Sequence, residues 1–510
     1  MTTMAQSDSW RRLDPKMLFV HPIREVGRAL PVLAGILLAG SGTGRGGLWG
    51  LVGTGIMVCI GVLRWFTTTY RVAAEQVQVR RGILRRQVLT VSLDRVRTVD
   101  VSASALHRVL GLVRVTVGTG LSDRKSDSAL RLDGMSAADA DRLRDELLRR
   151  HAPAAAAADD PSVPAPEARP HETELAVLRP SWVAYGPFTL SGVLTVGVIL
   201  GFAWRVISET HVDPRQLGPV TAGYAELLAV PRWLAFVGVP LLLVAVVGFA
   251  SMVGYVLSFY GFRLVRLAGG NLQVSRGLIS TRTTTIEERR LRGAELSEPL
   301  LLRMVRGARL IAIATGLRVG RGSERGGSLL VPPGPGEEAR RVAADVLGST
   351  EPVTAALAPH GPRALRRRYT RLLAVVAPLI AALVVLWRLD LLPAWAWETS
   401  LLLVPIGAAV AYDRYRGLGH ALVRGVLIAG RGSLVRRRYM LRCDGIIGWN
   451  VTESFFQRRT GLATLVATTA AGRQQYAVQD VPLEEALRVA DQALPGLLTP
   501  FLETAGSEAL

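Results

Sequence analysis

Two cysteines in 510 residues are too few for a disulfide framework. Cys59, in an apolar stretch, and Cys443, in a strand-like one, are too differently placed for a thiolate metal site, and both read as packing residues. Lysine is nearly missing. Lys16 and Lys125 are the only two, so a formal net charge of +20 is carried almost wholly by arginine. No Walker lysine, HExxH or GxSxG occurs, and the seven histidines do not cluster. His107 reads as a surface or packing residue rather than a base. Gly42, Gly44 and Gly47 spell GxGxxG, yet they sit between two apolar runs with no preceding strand and no acidic ribose partner, so no dinucleotide site follows. The arginine runs adjoin apolar stretches and lack interleaved aromatics, which argues against nucleic acid. Met1 to Asp14 is polar, with no apolar core and small-residue cleavage site behind it, so the first apolar stretch is expected to stay as an anchor. These absences leave no catalytic, cofactor-binding or metal-ligating residue to name, and a non-enzyme without cofactor is expected.

What the chain has instead is a mixture of membrane-like and water-exposed sequence, 49% hydrophobic and 20% charged. Uncharged runs fall in pairs: Ala29 to Gly44 with Gly46 to Leu63, Ser181 to Trp204 with Trp233 to Phe262, and Leu372 to Trp387 with about Trp395 to Tyr412. A span needs about 20 residues, so six spans are expected, the first and third pairs being short. Arginines crowd the ends joined to the long polar segments, among them Arg64, Arg71, Arg263, Arg266, Arg414 and Arg416. The positive-inside rule then places the N-terminus and all three long segments in the cytoplasm of a bacterial cell, under its inner membrane. Glu398 is the one carboxylate placed to fall inside an expected span, and beside Trp395 and Trp397 it reads as an interfacial residue rather than a proton relay.

Each polar segment follows one plan. Short β-branched runs are punctuated by an Arg-Gly pair and a second turn: Gly82 with Gly111, Gly277 with Gly307, and Gly432 with Gly461. The separations are 29, 30 and 29 positions, so a threefold internal repeat is read before any single element. Strand-turn-strand is expected around each turn, and a closing helix at Ala137 to Arg149, Glu337 to Leu347 and Leu483 to Leu494. Ser136 and Asp139 are placed for a capping box on the first of these. The Ala/Pro-rich stretch from Ala152 to Pro170 reads as a tether. The expected organisation is an N-terminal segment with span pair one (1–64), domain one (65–150), a linker (151–179), span pair two (180–262), domain two (263–348), a linker (349–370), span pair three (371–412), domain three (413–497) and a tail (498–510).

"SFFQRRTGLATLVATTA" from Ser454, "SALHRVLGLVRVTV" from Ser104 and "PLLLRMVRGARLIAI" from Pro299 resemble the hallmark of the bacterial pleckstrin-homology-like domain. That domain, formerly of unknown function, occurs in membrane proteins of the YdbS/YdbT type. The resemblance implies an α+β membrane protein: six transmembrane helices in three pairs, each pair followed by a PH-like β-sandwich or barrel with a C-terminal helix. It implies no reaction. The expected function is a non-catalytic, polytopic membrane scaffold that binds protein, copies of itself or anionic lipid, with envelope stress defence as its setting. An accessory subunit of a membrane transport or lipid-handling system is the alternative. Arg80, Arg81, Arg85 and Arg86 in the first repeat, and Arg436, Arg437 and Arg438 in the third, are the cations placed to reach headgroups or a partner.

Overall fold

The computed structural model describes residues 11–12, 14–17, 69–72, 76–81, 87–92, 98–118, 130–140, 172–189, 231–267, 269–317 and 327–497, with a few isolated positions besides. Two compact units, Met1–Glu288 and Arg289–Leu510, divide the chain, and the division falls in the middle of the second repeat.

Each repeat has two halves. The first half of repeat one is β2 (Thr69–Val72), β3 (Gln76–Arg81) and β4 (Gln87–Ser92), with the two-residue β1 (Arg11–Arg12) added on β2. Its second half is β5 (Thr98–Ala103), a short helix α1 (Ala105–Val109), β6 (Leu112–Gly118) and β7 (Leu130–Ser136). Repeat two adds β8 (Thr173–Val177) and then helix α2 (Arg232–Phe259). Its first half is β9 (Arg263–Arg266), β10 (Leu272–Arg276) and β11 (Thr281–Ile286). The second half is β12 (Leu291–Pro299), α3 (Leu300–Met304), β13 (Gly307–Ala314), β14 (Leu329–Pro335) and α4 (Gly336–Leu347). Repeat three follows α5 (Glu351–Thr354), α6 (Gly361–Arg388), α7 (Trp395–Ser400) and α8 (Leu403–Arg416). Its halves are β15 (Gly419–Val423), β16 (Val426–Arg431) and β17 (Val435–Arg442), then β18 (Gly448–Thr452), α9 (Phe455–Arg458), β19 (Leu462–Thr468), β20 (Gln475–Pro482) and α10 (Leu483–Ala493).

Sheet pairing crosses the expected domain boundaries. The second half of repeat one joins the first half of repeat two in one antiparallel sheet, ordered β7-β6-β5-β11-β10-β9-β8. The second half of repeat two joins the first half of repeat three in the same way, as β14-β13-β12-β17-β16-β15. The outer halves remain as sheets of their own, β1-β2-β3-β4 and β18-β19-β20. Residues 65–150, 263–348 and 413–497 are therefore sequence repeats whose sheets also pair with a neighbouring repeat, and in repeat three the two halves still face each other as the expected sandwich with its closing helix.

In the second unit, Leu427, Ala429, Tyr439 and Leu441 of the six-stranded sheet pack with Leu465, Ala467, Tyr476 and Val478 of the three-stranded sheet. The ladder from Ala486 through Val489 and Ala490 to Ala493 on α10 closes this core at helical spacing. Tyr439 and Tyr476 meet edge to face at 5.1 Å within it.

The turns explain the repeat's spacing. Gly277 and Gly432 hold φ of +107° and +100°, and a Cβ at either would run into the carbonyl oxygen of Ser280 or Val435. Gly82 lies outside the described residues. At the second turn Gly111 and Gly461 are left-handed, but in repeat two that conformation belongs to Arg306, and Gly307 opens β13. Ser104 to Gly111, Pro299 to Arg306 and Ser454 to Gly461 are equal steps of seven. Gly307 is thus one residue past the equivalent position, which is why its spacing reads 30 rather than 29. Asp139 N–H donates to Ser136 Oγ at 3.1 Å, as a cap should, while its carboxylate accepts from the Ser136 hydroxyl rather than from the Ser136 N–H. The reciprocal capping box forms instead at Ser454 and Gln457.

Among the described residues two helices are long and apolar enough to cross a bilayer, Leu241–Phe259 within α2 and Gly361–Arg388. Their apolar side chains, Leu241, Val244, Phe249 and Val375 among them, point outward. α6 packs against α8, whose Gly407 lies against Leu372. The stretch expected to form the last span is instead α7, a turn at Leu401 and Leu402, and α8, neither helix being long enough to cross a bilayer by itself. The first expected pair, and most of Ser181 to Trp204 beyond the 3-10 helix Pro180–Phe188, lie outside the described residues.

Candidate functional site: strand junctions and a buried charge socket

Two strand junctions join successive repeats. At the first, β5 and β11 run antiparallel with Ser102 opposite Arg282 and Val101 opposite Thr283. Arg282 donates through Nε to Asp100 at 2.9 Å, forms a second bond to the same carboxylate, and Thr284 donates to it at 3.1 Å. Arg108, on α1, reaches across the junction to the Leu278 carbonyl at 2.6 Å.

The second junction repeats the pattern on β12 and β17. Ser297 lies opposite Arg437, and Arg303 on α3 reaches the Ser433 carbonyl at 3.4 Å. The basic run Arg436 to Arg438 is used up here. Arg436 pairs with Asp413, which Arg303 also approaches at 3.5 Å. Arg437 and Arg473 each lie 3.5 Å from the buried Glu295. Arg438 donates to the Pro352 and Ala355 carbonyls at 3.2 and 2.5 Å, and burial lowers its pKa from the usual guanidinium range. These three arginines therefore serve the sheet, where sequence suggests headgroup contacts. Arg80 and Arg81 sit in β3, and Arg85 and Arg86 lie outside the described residues.

Beneath α6 lies a buried charge socket. The bulged register of β19 and β20, between Ala463 and Leu465, puts Asp480 in the left-handed region at φ +56° with 1% of its surface exposed. Asp is one of the few side chains that tolerates this conformation. Its carboxylate meets Arg367 at 2.9 Å and Arg368 at 2.7 Å, both from the first turns of α6 and both buried. Gln457 Nε2 donates to it at 2.8 Å, and Arg367 donates to Ser454 Oγ at 3.0 Å. The capped helix α9 and the long apolar α6 are thereby tied to one carboxylate.

Beside the socket, His360 Nδ1 lies 2.8 Å from the Gln479 carbonyl and its Nε2 lies 3.1 Å from His420 Nδ1. A carbonyl only accepts, so neutral His360 carries its proton on Nδ1, and His420 Nδ1–H donates to Nε2. Burial is the main cause pushing His360 down to about 4, with His420 adding to it; burial also lowers His420, against the pull of Glu485 at 3.6 Å. Both rings are neutral near pH 7 and act as packing donors and acceptors. Burial pushes the Cys443 thiol up to about 11, so it stays protonated and inert. His107 is buried, with Nδ1 2.5 Å from Ser104 Oγ. Among the described residues no group of His, Cys, Asp and Glu is placed to hold a metal ion.

The same two-half unit behind an apolar stretch recurs three times, and a profile of the bacterial PH domain matches each copy, at residues 21–151, 221–343 and 369–495. The chain belongs to the bacterial PH domain family. Over 278 residues it is 20% identical to the UPF0699 transmembrane protein YdbT of Bacillus subtilis (strain 168). That match covers 50% of this chain and 51% of the relative, so the chain spans about half the length of the curated relative it matches. No solved structure matches it. Within this bacterial PH domain chain, sequence patterning missed Asp480, His360 and His420. The S-x-x-Q string from Ser454 to Gln457 was the available pointer to the socket, since a capping box fixes a short helix whose Gln must then find a buried partner.

Proposed function

We propose that the chain is a non-catalytic membrane scaffold whose PH-like repeats lie on the cytoplasmic side of a bacterial inner membrane and present their shared sheets to protein partners, including copies of itself. The observation that carries it is the pairing of successive repeats through β5 with β11 and β12 with β17, which makes the repeats a linked series rather than separate binding modules. The name of the transmembrane relative and the two outward-facing apolar helices support membrane anchoring. The internal pairing of Arg436 to Arg438 leaves that run little free charge to offer lipid headgroups.

Reporter fusions test the placement. Fusions after Leu347 and Leu510 are expected to give cytoplasmic activity, and one near Gln216 activity outside the membrane. An extracytoplasmic signal from either of the first two would overturn the scaffold's sidedness.

A further inference from the structure

Three first halves and three second halves make only two junctions. The unmatched members are β4 at one end of the series and β18 at the other, each at the edge of its sheet among the described residues. Both existing junctions obey one register rule. The residue paired with the arginine before the turn glycine, Arg282 opposite Arg276 and Arg437 opposite Arg431, also faces the residue three before the short helix, Ser102 or Ser297. The counterpart on β4 is Gln87, opposite Arg81, and the counterpart on β18 is Thr452, three before Phe455.

The third set of junction contacts is present but unused. Arg458 stands where Arg108 and Arg303 stand on their short helices, each of which reaches the carbonyl one past the turn glycine. Arg458 has 76% of its side chain exposed and comes no nearer than 4.0 Å to Glu453. Leu300 and Leu301, at the completed second junction, are 38% and 37% exposed, whereas Phe455 and Phe456 at the same helix positions are 66% and 71% exposed. Val88 on β4 is 53% exposed, and Ile447, beside β18, 65%. Unprotected apolar edges of this kind invite strand addition.

We infer that β18 of one chain pairs antiparallel with β4 of a second copy, completing a third junction with Gln87 opposite Thr452, Val88 opposite Val451 and Leu89 opposite Asn450, and with Arg458 reaching across it as Arg108 and Arg303 do. This rests on the scaffold reading and names its partner. The contact is head-to-tail, so it builds a closed ring or an extended row in the plane of the membrane. It carries none of the cross-strand ion pairs found at the other two junctions, where Asp100 meets Arg282 and Glu295 meets Arg437. The uncharged Gln87 and Asn450 stand at the equivalent positions, which separates this junction from the internal ones and limits mispairing.

The test uses full-length chains in native membranes, with Cys59 and Cys443 replaced by Ala. One chain carries Val88→Cys and one tag; a co-expressed chain carries Val451→Cys and a different tag. Mild oxidation is expected to give a disulfide-linked dimer bearing both tags, and a chain with both substitutions is expected to give a ladder of multimers. Moving the second cysteine to Asn450→Cys turns its side chain to the other face and should lower the yield several-fold. Arg458→Glu should lower it several-fold as well, and Arg458→Lys should largely preserve it. A bond formed only within the doubly substituted chain, with no multimers, would overturn the inference in favour of self-closure, and no bond in any combination would overturn it outright. The reporter fusions score sidedness whether or not chains pair, so the two failures are distinguishable.

Discussion

Asp480→Ala is expected to destabilise the third repeat by about 3–5 kcal/mol, the cost typical of removing one partner from a buried ion pair. Asp480 is the shared counter-charge of Arg367 and Arg368, at 2.9 and 2.7 Å, with all three side chains at most 4% exposed. Deleting it strands two guanidinium groups in a low-dielectric site and removes one of the two bonds that Gln457 Nε2 donates, leaving the one to Thr464 Oγ1. Asp480→Asn separates charge from conformation, because Asn also accepts a left-handed backbone and keeps an oxygen for Gln457. Thermal unfolding of the detergent-solubilised full chain should rank wild type above Asn, and Asn at or above Ala. Melting of Asp480→Ala within 1 °C of wild type would show that the socket does not secure α6 to the sheet.

Gly432→Val is expected to cost roughly 4 kcal/mol or more, beyond the 1–3 kcal/mol usual for a strained residue. Two effects add. At φ +100° a β-branched side chain is strained, and its Cβ meets the Val435 carbonyl, which is backbone and cannot swing aside. The turn joins β16 to β17, and β17 is half of the second junction, so the loss extends beyond one hairpin. Gly425→Ala is the control, since Gly425 is also left-handed at φ +70° but has open space around its Cβ, and about 1 kcal/mol is expected there. Limited proteolysis of membranes should show faster cleavage across 419–442 for Gly432→Val than for Gly425→Ala. Equal rates would remove the steric argument.

Much of this architecture was legible because local chemistry dictates it. Arg-Gly pairs marked turns at Gly277 and Gly432 because nothing but Gly fits beside the next carbonyl, and β-branched runs marked the strands on either side. The closing helices α4 and α10 showed by their Ala and Val periodicity, while most of Ala137 to Arg149 lies outside the described residues. Strand pairing between repeats did not show, because a sequence pattern gives each strand two faces but not which neighbour borders its edge. Arg436 to Arg438 misled for the same reason. An arginine run on a strand reads as a solvated basic face until the acidic residues near it, Glu295 on β12 and Asp413 on α8, are placed by the fold. The socket was hidden by distance, since Arg367 and Asp480 lie more than a hundred residues apart and neither stands in a recognisable motif. Gly307 failed for a smaller reason: it stands one residue past Arg306, and an arginine at a left-handed position leaves no mark in composition.

The linked series of repeats is tested most directly by a covalent bond across the first junction. Val101 and Thr283 lie opposite each other on β5 and β11, and a protease site inserted in 152–170 would separate the chain between them. In a Val101→Cys, Thr283→Cys chain without its native cysteines, oxidation in native membranes followed by cleavage should leave the two fragments joined until a reductant is added. Fragments that separate without reductant, while the uncut chain remains folded, would mean that each repeat closes on its own strands and would contradict the shared sheet.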